Sequence, residues 1–299
     1  MLAKKQKKFG LALGGGGARG LVHIGILDIL HKEGIKIDCI SGTSMGAILG
    51  ANYALGIKPM EIKRSAMQFG EKKLLKLRNL NIFNESLIKS TQIEKTLDKV
   101  FEEKTFAHCK IPFRAIAVDI EAGKTVVLKK GLLKTAIRAS SAIPFIFPPV
   151  FHEKKVLVDG GILDNVPLSS LKEFSPEVTM GVAINNFSSR QNISGKIFKH
   201  YFIPKYHSFL EKTTLIGRTY GKMRDNINLM ADIVLRSFEI ATKKATEIEI
   251  KKNPPDILLK PNVEIGLLEF NKSEEAIEYG RELMTKNLPR LKNLLFGNP

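Results

Sequence analysis

The sequence predicts an α/β domain: a mostly parallel central sheet with helices on both faces. Three observations carry this. Short β-branched or apolar runs alternate with longer helical patterns along the 299 residues, as in a sheet built from β-α units. Two early runs end directly in glycine-rich turns that open helices. With 43% hydrophobic residues, the chain can bury a substantial core, in one large domain or two smaller ones.

Leu11-Ala12-Leu13 reads as the end of a buried strand over 9–13, and Leu21 to Leu30 as the apolar body of a helix over 18–33. Ile37-Asp38-Cys39-Ile40 marks a strand over 37–41, and Ala47-Ile48-Leu49-Gly50-Ala51 a helix over 45–56. Helices are expected at 59–69 and 90–102, strands at 112–118 and 125–128, and a helix at 131–140. Val156-Leu157-Val158 marks a strand over 155–158. A helix at 167–173, strands at 179–184 and 256–259, and a helix at 276–293 complete the pass. Met230, Val234, Phe238, Ala241, Ala245 and Ile248 recur at helical spacing, so a long helix is expected there. Before it, residues 197–210 interleave aromatic and basic side chains, as a core-packed loop or an interfacial segment would. Pro204 interrupts any single helix across them.

The most informative stretch is Gly42-Thr43-Ser44-Met45-Gly46, a GXSXG between a strand and a helix. That is the context of a nucleophile elbow, in which Gly42 and Gly46 permit a turn too tight for side chains. The helix N-terminus behind the serine favours developing negative charge. Such a motif arises by chance in roughly one chain in ten of this size, so the flanking features decide its meaning.

Gly14-Gly15-Gly16-Gly17-Ala18-Arg19-Gly20 follows the first strand at once. Its bare amides can hold a phosphate or form an oxyanion hole. Gly15, Gly17 and Gly20 also satisfy GXGXXG, so a dinucleotide site competes. That reading needs an acid at the end of the second strand. Asp38 has about the right distance but stands at the strand's start.

Val156-Leu157-Val158-Asp159-Gly160-Gly161 delivers a carboxylate into a glycine turn. Asp-Gly is a common turn dipeptide. A partly buried Asp159 can also serve Ser44 as general base once its pKa rises toward neutrality. His23, His31, His108, His152, His200 and His207 sit in no distinctive pattern, and a serine–aspartate dyad needs none of them.

These motifs, in this order, resemble the patatin-like phospholipase family. Arg138-Ala139-Ser140-Ser141-Ala142-Ile143-Pro144, Phe147-Pro148-Pro149 and Asp164-Asn165-Val166-Pro167 are secondary marks of it. The resemblance is strong over 9–175 and weak beyond. It implies a three-layer α/β/α fold with a mostly parallel sheet and a Ser–Asp dyad. Residues 9–175 would form the catalytic core and 176–299 a helical extension packed on the same domain. The activity implied is that of a serine esterase or phospholipase A-like lipid acyl hydrolase. Ser44 would be the nucleophile and Asp159 its proton acceptor. Gly15, Gly16 and Gly17 would form the oxyanion hole, with Arg19 steadying the loop. Gly20, Gly42, Gly46, Gly160 and Gly161 complete the motifs. The family uses no metal and no organic cofactor.

Cys39 and Cys109 match no metal-ligand or CxxC spacing, so neither a disulfide scaffold nor a thiolate metal site is expected. No run of about 20 uncharged apolar residues is present, so no spanning helix is expected. The basic start, Met1 to Lys8, lacks a cleavage pattern. A bacterial cytoplasmic location is therefore expected, with peripheral contact at the inner membrane. A net charge of +17 fits lysine bias on solvated faces or attraction to anionic lipid headgroups. Without a basic recognition helix or an RNA-binding aromatic motif, nucleic acid is not an expected partner. Two other classes stay open: a nucleotide-dependent oxidoreductase using the 15–20 loop, and a non-catalytic membrane-associated regulator.

Overall fold

Strand formation in this chain follows its short apolar runs. A computed structural model describes residues 5–69, 100–144, 146–184, 215–267 and 269–297. Among the described residues the eight strands are β1 (Phe9–Leu13), β2 (Cys39–Thr43), β3 (Phe113–Asp119), β4 (Lys124–Leu128), β5 (Val150–His152), β6 (Lys155–Asp159), β7 (Val178–Val182) and β8 (Ile257–Leu259). The helices are α1 (Val22–Lys32), α2 (Met45–Ala54), α3 (Pro59–Phe69), α4 (Leu133–Ser140), α5 (Leu215–Lys252) and α6 (Ser273–Phe296).

The sheet runs β5-β6-β3-β2-β1-β7-β8, with β4 on β3 off this path. The pairs β3-β2, β2-β1, β1-β7 and β7-β8 are parallel, so this part of the sheet needs cover on both faces. β1 accordingly is buried along its whole length. Its alternation sorts the core: Leu11 and Leu13 join the large cluster with residues of α1, α2, α3, α4 and α6. Ala12 turns to the other face, against Cys39, Val166, Leu168 and Leu171, and Ile250 of α5 packs there too. The result is the predicted three-layer arrangement with a mostly parallel sheet. β7 and β8, both beyond residue 175, belong to this same sheet. On the first face α1 and α6 cross at backbone contact: a Cβ at Gly280 would lie 2.1 Å from the carbonyl oxygen of Val22.

One register relationship positions the site. β4 pairs with β3 from Ala115 to Asp119, filling one edge of that strand. β2 pairs with β3 at Phe113–Ile116, and β6 with Ala117–Asp119. Both therefore share the opposite edge, β2 parallel and β6 antiparallel to β3. Their C-terminal ends meet.

Two expectations are refined. The segment 18–33 begins as a 3-10 turn, Gly17–Leu21, before α1. The helix expected at 167–173 is a 3-10 turn, Ser169–Phe174. β5, three residues long, had no sequence signal of its own. The expected helix at 90–102, apart from its last three residues, and the stretch 197–210 lie outside the described residues. Among the described residues, no helix is long and apolar enough to cross a membrane.

Candidate active site

β2 ends at Thr43, and Ser44 turns the chain into α2 with φ 53° and ψ −122°. A side-chain-bearing residue at positive φ stores on the order of 1–3 kcal/mol of strain and persists only where neighbours enforce it. Here the enforcement is visible. The Ser44 carbonyl accepts the amides of Ala47 and Ile48, and the Ser44 N–H donates to Ser140 Oγ at 3.0 Å, from the end of α4. The flanking glycines leave no room for side chains. A Cβ at Gly46 would lie 2.1 Å from the Leu13 oxygen, and one at Gly42 2.5 Å from the Gly46 oxygen. The elbow thus presses on the end of β1, where the glycine loop begins.

Asp159 closes β6 beside this turn and is 1% exposed. Its Oδ1 accepts the Gly161 N–H at 2.8 Å. Gly160 is held against β3, with a Cβ there 2.4 Å from the Ile116 oxygen. Burial pushes the Asp159 carboxyl up to about 7, opposed by the nearby Ser44 hydroxyl and by the Gly161 amide. Oδ2 is buried and has no hydrogen-bond partner among the described residues, so the serine contact falls short of ordinary hydrogen-bond geometry. Such contacts are often loose until substrate is bound.

The glycine loop is pinned at alternate peptide units. The His23 ring donates from Nε2 to the Gly14 oxygen at 2.7 Å, that oxygen being an acceptor only. The Gly15 N–H donates to Asn165, to Oδ1 at 3.0 Å and to its backbone oxygen at 3.2 Å. The Gly15 amide, one of the three that the resemblance implies for an oxyanion hole, is thus engaged within the loop. Arg19 Nε donates to the Gly16 oxygen at 3.2 Å, and its NH2 group meets Glu239 Oε1 at 2.9 Å. Gly17, at φ +56°, runs so close to Leu267 that a Cβ would lie 2.2 Å from that residue's oxygen. The N–H groups of Gly16 and Gly17 make no hydrogen bond to any described residue.

Sequence reading assigned no role to three residues that hold this arrangement: His23, Ser140 and Asn165. Burial drives the His23 pKa down to about 4, so the ring is neutral at ordinary pH, and its Nδ1 has no partner. Asn165 belongs to the quoted Asp164-Asn165-Val166-Pro167 stretch, which was the one signal available for it. Its neighbour Asp164 is also buried and raised to about 7, chiefly by desolvation and further by Glu249.

Ser44, Asp159, Gly15, Gly16, Gly17 and Arg19 all line one cleft of about 480 Å³ including its open mouth. Asn165, Ile143 and Ile184 add to its walls, and α5 contributes Phe238, Glu239, Thr242 and Lys243. Among the described residues no histidine lines it. Gly20 lies behind the loop, with a Cβ 2.5 Å from Met45 Cγ. Asp38 is remote from this end of the sheet: it precedes β2, and its Oδ2 accepts the Phe9 N–H at 2.9 Å. β2 ends in Thr43, so no acid stands at the strand end where a dinucleotide ribose would need one. Among the described residues no group of three His, Cys, Asp or Glu side chains could hold a metal ion. The arrangement as a whole offers a hydroxyl, a nearby carboxylate of near-neutral pKa and two unspent amides.

The family model for Patatin-like phospholipase matches residues 11–172. An uncharacterized NTE family protein of Mycobacterium tuberculosis is 35% identical over 175 residues, 58% of this chain and 48% of that protein. Lysophospholipase NTE1 of Meyerozyma guilliermondii is 28% identical over 278 residues, 91% of this chain and 18% of that protein. The chain thus spans half or less of the length of the curated relatives named here. Among solved structures, VipD from Legionella pneumophila aligns over 96% of this chain and 77% of its own, at 15% identity and a TM-score of 0.40.

Proposed function

We propose, for a chain that belongs to the patatin-like phospholipase family, that it is a serine esterase acting on lipid esters, a phospholipase A-like acyl hydrolase. The observation that carries this reading is Ser44 on a strained, pinned turn, beside the near-neutral carboxyl of Asp159 in a shared cleft.

In this mechanism Ser44 Oγ attacks the ester carbonyl while Asp159 takes its proton. The carbonyl oxygen becomes an oxyanion held by the Gly16 and Gly17 N–H groups, assisted by the N-terminus of α2. Collapse breaks the ester C–O bond, and the leaving alcohol takes the proton from Asp159. A water then gives its proton to Asp159 and attacks the acyl carbon. The fatty acid departs and Ser44 recovers its proton. Gly15 acts only by shaping the loop.

The substrate arrives from a lipid surface in this reading. α5 meets the protein through a mixed face, which includes Phe238 at the cleft and Ile250 against the core, and carries apolar residues outside. Glu239 and Thr242 line the cleft and Thr246 is buried, whereas Ile233, Val234, Ile240 and Ile248 are 37, 39, 53 and 58% exposed. At about 100° per residue these four share the outer side with Lys244 and Lys251. An apolar stripe edged with lysines suits an anionic bilayer.

Labelling with a fluorophosphonate, together with hydrolysis of a short p-nitrophenyl ester, tests the function. Wild type should do both. A wild type that does neither would remove the esterase reading.

A further inference from the structure

We infer that Glu239, on α5, is a positioning residue for this reaction, acting through Arg19 on the peptide unit that carries the Gly17 N–H. The inference rests on the esterase reading above.

A peptide unit is planar and trans, so its C=O and N–H point in opposite directions. The Gly16 oxygen and the Gly17 N–H are the two ends of one such unit. Arg19 Nε grips the oxygen at 3.2 Å. The Gly17 N–H is thereby aimed away from Arg19, at a residue that lines the same cleft as Ser44. The grip is needed because both flanking residues are glycines. With no Cβ on either side, rotation of this unit meets less steric resistance than at any other dipeptide. A flip would withdraw the amide from the developing oxyanion.

Arg19 in turn needs a second anchor, since its side chain is long and has many rotamers. Glu239 provides one, 2.9 Å from the guanidinium, with the two side chains only 5% and 18% exposed. A charge-assisted bond with so little solvent around it is strong and directional. The neighbouring Gly14–Gly15 unit provides an internal comparison. It is held at both ends, by His23 and by Asn165, with no help from α5. Only the Gly16–Gly17 unit depends on a residue 220 positions away in sequence.

Merely balancing the buried Arg19 charge would be a different role. It would affect stability and leave the chemical step alone. The two are separated by steady-state kinetics of the full chain on a short p-nitrophenyl ester, with the fluorophosphonate labelling rate and the melting temperature measured alongside. Glu239→Gln should lower kcat by roughly ten- to a hundredfold, a fraction of what losing an oxyanion donor costs, with KM within about twofold. The labelling rate should fall in parallel, because the phosphonyl oxygen enters the same hole. Arg19→Gln combined with Glu239→Gln should be no slower than Arg19→Gln alone, as for two residues acting in series. Arg236→Gln, which removes the other partner of Glu239 (3.3 Å), should keep wild-type kcat.

If Glu239→Gln gives no cooperative melt, Glu239→Asp replaces it, keeping the charge but withdrawing it by one methylene, with the same expected split. Unchanged kcat in a folded Glu239 variant, or additive losses in the double variant, would overturn the inference and leave the esterase reading standing. A wild type that neither hydrolyses nor labels would overturn both.

Discussion

Thr43 and Asp159 pair with consecutive residues on one edge of β3, Ile116 and Ala117. Because β2 and β6 run toward each other along that edge, the residue after Thr43 and the last residue of β6 arrive at one point. The Ser44–Asp159 encounter is therefore a property of sheet register, set by backbone hydrogen bonds rather than by the two side chains. Substitutions at either residue should accordingly leave the fold intact.

The first prediction separates strain from reactivity at Ser44. Ser44→Ala should abolish ester hydrolysis and fluorophosphonate labelling with little change in melting temperature, because alanine is as strained at φ 53° as serine. Ser44→Gly should be equally inactive but more stable, by about 1 kcal/mol, since glycine adopts positive φ freely. Thermal melts of the three proteins decide it. A glycine variant less stable than alanine would mean that the turn is not strained in the manner described, and stoichiometric labelling of Ser44→Ala would identify a different nucleophile.

Ser44, Asp159 and the glycine loop were legible because each lies in a local pattern: strand, tight turn, helix or strand, carboxylate, glycine. Their supports were not. Ser140 lies 96 residues from Ser44, Asn165 150 from Gly15, and Glu239 220 from Arg19. No periodicity carries such partnerships. The engagement of the Gly15 amide by Asn165 was hidden for the same reason, since whether an amide faces the cleft or the interior depends on a distant acceptor. The strands of the sheet were readable from their apolar runs, but not their order, because the placing of β6 on the β2 edge of β3 is set by tertiary packing. β5 escaped because three residues with Phe151 79% exposed lack the buried alternation that marks a strand.

A second prediction follows from the raised Asp159 pKa. As a base, Asp159 must be ionised, so kcat/KM should rise with pH, be half-maximal near 7 and level off above. Stability should run the other way. Between the ordinary aspartate value of 3.8 and about 7 the folded carboxyl keeps a proton that the unfolded one has lost. The native state then binds more protons, and stability falls as pH rises through that window. Asp164 adds a contribution of the same sign. Asp159→Asn should therefore lose roughly 10²–10⁴ in kcat, melt higher than wild type at pH 8 and match it near pH 4. A rate profile flat from pH 5 to 9, or an Asn variant that is less stable at pH 8, would contradict the burial argument.

The third prediction concerns the support of the elbow. Ser140→Ala removes the hydroxyl that accepts the Ser44 N–H, in a residue with no exposed surface. Leaving a buried amide unsatisfied costs about 1–3 kcal/mol. For a domain of this size that corresponds to a fall of roughly 2–10 °C in melting temperature. The elbow should also relax, so kcat should drop while KM stays near the wild-type value. Circular dichroism melts and ester kinetics on the same preparation check both halves. An alanine variant with unchanged melting temperature and kcat would show that other contacts hold Ser44.

The last prediction tests the outer face of α5 as the surface that meets lipid. Its apolar residues lie across the helix from the side chains that line the cleft, so a protein seated by this face would hold the cleft one helix diameter, roughly 10 Å, from the bilayer. Ile240 and Ile248 are the two most exposed of them. Changing both to Ser should weaken sedimentation with anionic vesicles and lower hydrolysis of vesicle lipid, yet leave the soluble p-nitrophenyl ester unaffected, because neither residue lines the cleft. The lysines contribute by electrostatics, about 1 kcal/mol for each one near the surface. Wild-type binding should therefore fall as salt rises past 0.1 M, where screening acts beyond about 10 Å. Charge-neutral vesicles should bind more weakly than anionic ones at low salt. Equal partitioning onto both, unchanged in the double variant, would assign the +17 charge to lysine bias and free the outer face of α5 for another partner.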